Sequence, residues 1–133
     1  MKAISLWQPF ASLIAAGHKT IETRRWPTSH RGDLLICAAQ RRMGFEELYL
    51  MASMERTSRE IPRPIPYGQA LAIVRVVGCR RMVEADEDAA CCDLYSGAWA
   101  WLLEDIRKIA PFPVRGKQMF FHVELPATAE GER

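Results

Sequence analysis

The apolar residues of this 133-residue chain come in short runs, none longer than six, and glycines or prolines stand between them. A membrane-spanning helix needs about 20 consecutive apolar residues, so the pattern argues instead for a sheet of short strands. Leu34-Leu35-Ile36-Cys37-Ala38-Ala39 reads as a strand buried on both faces, and Ala70-Leu71-Ala72-Ile73-Val74 marks a second over residues 68–77. Gly78 predicts a bulge before residues 79–83 continue the sheet. In residues 98–103, Trp99 and Trp101 share one face and Ala98, Ala100 and Leu102 the other, which in a small barrel turns one row inward and the other against a helix. Residues 2–7 and 120–125 supply the first and last strands. At this length one core suffices, so a single domain is expected over residues 1–126, with a tail over 127–133 that has nothing to bury and frays.

Helices are few. Pro9 stands where a helix begins, because its missing N–H is harmless there, and Phe10, Leu13 and Ile14 repeat at the spacing of a buried stripe. The helix covers residues 9–16, and Gly17 closes it in a left-handed conformation. Phe45, Leu48 and Met51 place a second helix over residues 44–54. Pro62, Pro64 and Pro66 forbid regular structure over 57–67, which is expected to be a mobile loop over the cleft described next.

The charged residues concentrate in Gly17-His18-Lys19-Thr20-Ile21-Glu22-Thr23-Arg24, followed by Arg25 and Trp26. Thr20, Ile21 and Thr23 favour an extended backbone, in which Glu22 and Arg24 share a face while Lys19 and Ile21 share the other. Lys19 joins Glu22 and Arg24 only by standing in the loop before the strand, and Gly17 permits that turn. A solvated edge strand kept from pairing by its charges is the competing interpretation.

The pattern Gly-x-Lys-x-x-Glu-x-Arg, filled by Gly17, Lys19, Glu22 and Arg24, resembles the signature of the ASCH (activating signal cointegrator homology) family, whose fold is similar to that of the PUA RNA-binding domains. Ser5-Leu6-Trp7-Gln8-Pro9-Phe10-Ala11, Arg31-Gly32-Asp33-Leu34-Leu35-Ile36, the Gly97 to Leu103 stretch and Pro113-Val114-Arg115-Gly116 extend the resemblance over roughly residues 3–125. It implies an α+β, mainly β architecture: a PUA-like barrel with a few short flanking helices. It also implies RNA or a nucleotide as partner. One branch similar to this family hydrolyses acetylated cytidine with a lysine, a threonine and a glutamate; the lysine corresponds to Lys19, but Glu22 occupies the threonine position. Neither Thr20 nor Thr23 replaces it simply, since a one-residue shift sends a strand side chain to the opposite face.

An unpaired base needs a flat partner and its phosphates need cations. Trp7, Trp26 and Tyr95 are candidate platforms, Lys19, Arg24, Arg25, Arg31 and Arg41 candidate phosphate partners, and Gln8 a candidate reader of a base edge. Core packing competes for every one of these aromatics. Lys19 and Glu22 are the candidate catalytic pair of a ribonuclease or amidohydrolase: an opposite charge keeps lysine protonated, which suits it to stabilising a developing anion rather than to acting as a base. Three classes stay open, namely an RNA or nucleotide binder, a small hydrolase, and a domain that works through a protein partner.

Net charge is only +2, yet the first 42 residues hold seven cations against two carboxylates, while residues 84–93 hold five carboxylates and no base. This predicts a basic face and an acidic lip. Cys37, Cys79, Cys91 and Cys92 form no Cys-x-x-Cys, and His18, His30 and His122 form no helical pair, so reduced thiols, no metal and no other cofactor are expected. No glycine-rich phosphate loop is present. A start of strand-like residues without a signal-peptide pattern leads to the expectation of a cytoplasmic protein away from membranes.

Overall fold

A computed structural model describes residues 1–127, apart from the Arg56 side chain. The tail expected to fray lies outside the described residues except for Ala127. Six strands make one sheet: β1 (Lys2–Leu6), β2 (Ile21–Arg24), β3 (Gly32–Ala38), β4 (Gln69–Arg81), β5 (Trp99–Pro113) and β6 (Phe121–His122). Their order is β2-β5-β4-β3-β1-β6, antiparallel throughout except for the parallel β1–β3 pair. Four short α-helices flank it: α1 (Phe10–Ala15), α2 (Phe45–Ser53), α3 (Glu55–Ser58) and α4 (Glu87–Ala90).

This is the α+β, mainly β fold that the short strands imply, with one refinement: the hydrogen-bonded ladder does not close, and β2 and β6 are both edges. Three register shifts between β4 and β5, one of them at Gly78, bend this long pair, since an extra residue in one strand kinks it and increases its twist. The bend brings β2 back toward β1, where a side chain spans the remaining gap: Arg24 Nη2 donates to the Ser5 carbonyl at 3.2 Å. The seam between β1 and β2 is where the candidate site lies.

Apolar side chains fill both faces of the sheet. Leu34 and Ile36 meet Ala11 and Ile14 of α1, Val74 and Trp101 on one face, while Leu35 and Cys37 meet Ile73, Ile109 and Phe121 on the other. The continuous apolar run of β3 reflects that double burial. Ala98 and Ala100 pack with Ala90 of α4, so the two rows of β5 divide between interior and helix as expected.

Two expectations give way. Residues 57–67 do not cover the cleft at Lys19: Pro62, Pro64 and Pro66 wall a separate cavity behind α1, and Ile61 is buried against Leu13 and Met51. The segment is held there by Gln8, whose Nε2 donates to the Pro66 carbonyl at 2.8 Å. The last strand shrinks from residues 120–125 to Phe121–His122. Of the apolar residues that mark α2 in the sequence, only Met51 is buried; Phe45 and Leu48 face outward because α2 rests on the proline-rich segment rather than on the sheet. No helix among the described residues is long and apolar enough to cross a membrane.

Candidate functional site

Lys19 owes its position to the end of α1. Gly17, at φ +84°, closes the helix with its N–H on the Ile14 carbonyl and the His18 N–H on the Leu13 carbonyl, the paired bonds that a left-handed residue makes possible. The Lys19 N–H also reaches Leu13 O, so the chain folds tightly back before β2 begins at Ile21. Lys19 therefore stands in the loop, as the Gly17 turn predicts. Its side chain is only 2 % exposed. Nζ donates to the carbonyls of Ile21 at 2.8 Å and Ala90 at 2.5 Å, lies 3.5 Å from Glu22 Oε1, and sits 5.5 Å from the centre of the Phe10 ring.

The second oxygen of Glu22 accepts from Arg24 Nε at 2.8 Å. Taking these charges out of water costs several kcal/mol each, and the cost is met here by complete pairing: among the described residues no buried side-chain nitrogen or oxygen lacks a hydrogen-bond partner. The three form a +1 cluster with the carboxylate held between two cations.

They line a cleft of about 460 Å³ together with Trp7, Phe10 and Tyr95, a volume in the range of small-ligand sites. Three of its lining residues are aromatic, and its charged residues Lys19 and Glu22 are buried. A carboxylate there accepts hydrogen bonds from an amino or imino group, and a guanidinium donates to a ring oxygen or nitrogen. Trp7 is 54 % exposed with the Arg41 guanidinium 3.9 Å from its ring centre. At the other rim Arg25 stands 5.1 Å from the ring of Tyr95. A second groove, of about 640 Å³, shares Ser5, Trp7 and Arg24 with the first and continues past Trp26 to Arg115 and Lys117.

Of the residues singled out in the sequence, Trp7, Lys19, Glu22, Arg24 and Tyr95 meet at the cleft, and Trp26 lies in the adjoining groove. Gln8 lies outside it, fully buried, with Nε2 donating to Ser12 Oγ and Pro66 O and Oε1 accepting from the Ser12 N–H. Arg31 turns back onto the carbonyls of Thr28 and His30. Arg41 is paired with Glu47 and reaches the site only through Trp7. Of the seven cations in the first 42 residues, Lys19 and Arg24 line the cleft.

Sequence reasoning missed Phe10, Thr23 and Cys92 as lining residues. Phe10 sits at a core-stripe spacing, and Cys92 reads as a small apolar residue. The acidic stretch proves to be a wall of the site: its helix α4 offers the Ala90 carbonyl to Lys19, and its own Asp86 is spent on Arg80. Burial pushes the neighbouring Cys91 thiol up in pKa despite the charge of Lys19, which argues against an activated thiolate there. The four cysteines are free, and burial pushes Cys37 up to about 12.

Comparison with known proteins agrees with this fold. Activating signal cointegrator 1 of Mus musculus is 27% identical over 127 residues, an alignment covering 91% of this chain and 22% of that protein. The protein of the same name from Homo sapiens is 35% identical over 80 residues, covering 57% of this chain and 14% of that one. The chain therefore spans less than a quarter of the length of these curated relatives. Among solved structures, the ASCH protein of Zymomonas mobilis superposes with a TM-score of 0.59 at 18% identity, over 92% of this chain and 87% of that one. A variant of the same Zymomonas mobilis protein superposes at 0.57, which supports the fold. Residues 4–113 match the ASCH domain family model, and the chain belongs to the ASCH domain family.

Proposed function

We propose that this domain binds single-stranded RNA and takes one unpaired base into the cleft between β1 and β2. The observation that carries the reading is the pairing of aromatic walls (Trp7, Phe10, Tyr95) with a polar floor whose acceptor, Glu22, and donor, Arg24, are held side by side. Aromatic faces stack any base, and edge groups select among them. The Arg41–Trp7 and Arg25–Tyr95 stacks place cations at both rims, where phosphates would pass. A cytoplasmic setting belongs to this proposal.

The test is binding of a random-sequence ribohexamer pool by fluorescence anisotropy across a salt series. Trp7→Ala removes a stack of about 1–3 kcal/mol and is expected to weaken binding roughly tenfold. Lys19→Ala, which removes one of the two cations beside Glu22, is expected to weaken it more than Lys108→Ala, an exposed lysine on β5. Equal curves for all four proteins, or no binding at low salt, would leave a protein partner as the better account.

The burial of Lys19 supports a second reading, a small hydrolase on RNA or a modified nucleoside. Held by two carbonyls and Glu22, Lys19 Nζ is a fixed donor, placed to stabilise an anionic transition state. Product formation from RNA or N-acetylcytidine, lost in Lys19→Ala beyond the loss of binding, supports it; its absence at saturating protein overturns it.

A further inference from the structure

We infer that the groove beside the cleft is a second nucleotide subsite, built to hold the phosphodiester and base that follow the base in the cleft. This rests on the RNA reading and extends it from one nucleotide to two. Of the residues lining the groove, Arg24, Arg115 and Lys117 are cationic and none carries a carboxylate. Among the described residues neither Arg115 nor Lys117 has an ion-pair or hydrogen-bond partner, whereas Arg41, Arg80 and Arg107 are all held by carboxylates. Unpaired cations around a concavity free of acids fit an anion.

The groove also offers what a base needs. Trp26 lies in it, half-buried, with the Arg24 guanidinium 5.9 Å from its ring centre, and Gln40 and Gln118 line the same groove. An indole supplies the stack, and amides donate to and accept from a base edge or a ribose hydroxyl.

Continuity between the two concavities is built by Ser5, Trp7 and Arg24, which line both. Arg24 spends Nε on Glu22 and Nη2 on the Ser5 carbonyl, so its guanidinium is fixed at the boundary, where a strand leaving the cleft crosses. The close seating of residues 115–119 on β1 depends on Gly116: a Cβ added there would lie 2.8 Å from Ser5 Oγ and 3.1 Å from Ser5 Cβ. Glycine lets the backbone approach, and the approach carries Arg115 and Lys117 to the groove on either side of it.

The experiment compares wild type, Arg115→Gln/Lys117→Gln and Gly116→Val on three probes: the ribohexamer pool, the matching deoxyribohexamer pool and a mixture of the four nucleoside 5′-monophosphates. Removing two phosphate contacts is expected to flatten the slope of log Kd against log salt by about 1.4, at about 0.7 per phosphate on a single strand, and to weaken hexamer binding at least tenfold. Monophosphate binding is expected to change by less than about twofold, because a lone nucleotide occupies only the cleft. Gly116→Val, with charge unchanged, is expected to weaken the hexamer as well. An unchanged salt slope in the double variant while the wild type binds the hexamer overturns the second subsite alone. Loss of monophosphate and hexamer binding in equal measure also overturns it, since the two cations would then serve the cleft. A wild type that binds neither pool overturns the RNA reading and this subsite together. A pool preference decides between ribose and deoxyribose strands, and either preference with a flattened slope supports the subsite.

Discussion

Glu22 and Asp86 are both buried carboxylates paired with arginine, yet one faces a cleft and the other closes a turn. Asp86 takes two bonds from Arg80, at 2.7 and 2.8 Å, and a third from the Val83 N–H at 2.9 Å. These bonds, the Arg80 guanidinium first among them, hold its carboxyl down to about 2. Three of its roughly four acceptor sites are thereby used within the turn. Glu22 meets Arg24 through one nitrogen and Lys19 only at 3.5 Å, with Trp7, Phe10 and Tyr95 ringing open space beside it. Closer pairing marks Asp86 as structural, and looser pairing at a concave aromatic surface marks Glu22 as a site residue.

The contrast breaks most visibly if Glu22 is removed. Glu22→Ala leaves the buried Lys19 ammonium without its carboxylate, and an uncompensated buried charge costs about 3–5 kcal/mol. Urea unfolding is expected to show this loss. Lys19→Met is expected to cost less, about 1–3 kcal/mol, because Glu22 keeps Arg24 and only the carbonyls of Ile21 and Ala90 lose a donor. Equal costs would mean that the three charges do not act as one cluster.

Asp86→Asn comes next and carries a pH signature. The folded-state pKa of about 2 lies below the ordinary value of 3.8, so the folded state binds fewer protons than the unfolded one. The stabilisation is complete above about pH 4 and is lost as pH falls toward about 2. Allowing for the half-exposed Arg80 guanidinium, it is worth about 1–2 kcal/mol at neutral pH. Unfolding followed from pH 6 to pH 2 is expected to show a shallower acid loss in Asp86→Asn than in wild type, with hexamer binding unchanged. A binding defect would place Asp86 in the site after all.

How far the sequence foretold this arrangement depends on the range of the contacts involved. The turn at Gly17, the loop position of Lys19 and the shared face of Glu22 and Arg24 are local properties of glycine, β-propensity and strand parity, and they hold. The far wall of the cleft, from Ala90 to Tyr95, and the groove cations Arg115 and Lys117 come from some 70 to 100 positions along the chain, and apart from Tyr95, whose ring makes it a candidate platform, no local pattern points to them. Gln8 looked like a reader of bases because an amide reads in both directions, but the fold spends both of its ends on Ser12 and Pro66.

Strand β5 illustrates the same limit. Only residues 98–103 look like a strand, yet β5 runs from Trp99 to Pro113, through charged residues and two prolines. Its partner β2 pairs only with Trp99 to Leu102, so the remainder of β5 has β4 on one side and a free edge on the other. An edge tolerates both proline and charge, and which part of a strand is an edge is decided by the length of a partner some 80 residues away.

The smallest effect is expected from a third carboxylate contact, between a histidine and a glutamate, which sets the floor for the other two. His18 Nε2 and Glu60 Oε2 are 2.7 Å apart, with side chains 33% and 59% exposed. The pair joins the proline-rich segment to the residue beside Lys19, so geometry alone would allow it to brace the cleft. Exposed pairs contribute about 0–1 kcal/mol, because water screens them and two side chains are ordered to make them. Glu60→Gln is therefore expected to change unfolding stability by less than about 0.5 kcal/mol and to leave hexamer binding within twofold, at both low and high salt. The Gln8 bond to Pro66, which is part-buried, already anchors the segment without it. A larger loss of binding in Glu60→Gln at unchanged stability would show that the segment behind α1 sets the position of Lys19, and the boundary between structural and site carboxylates would then have to be drawn to include Glu60.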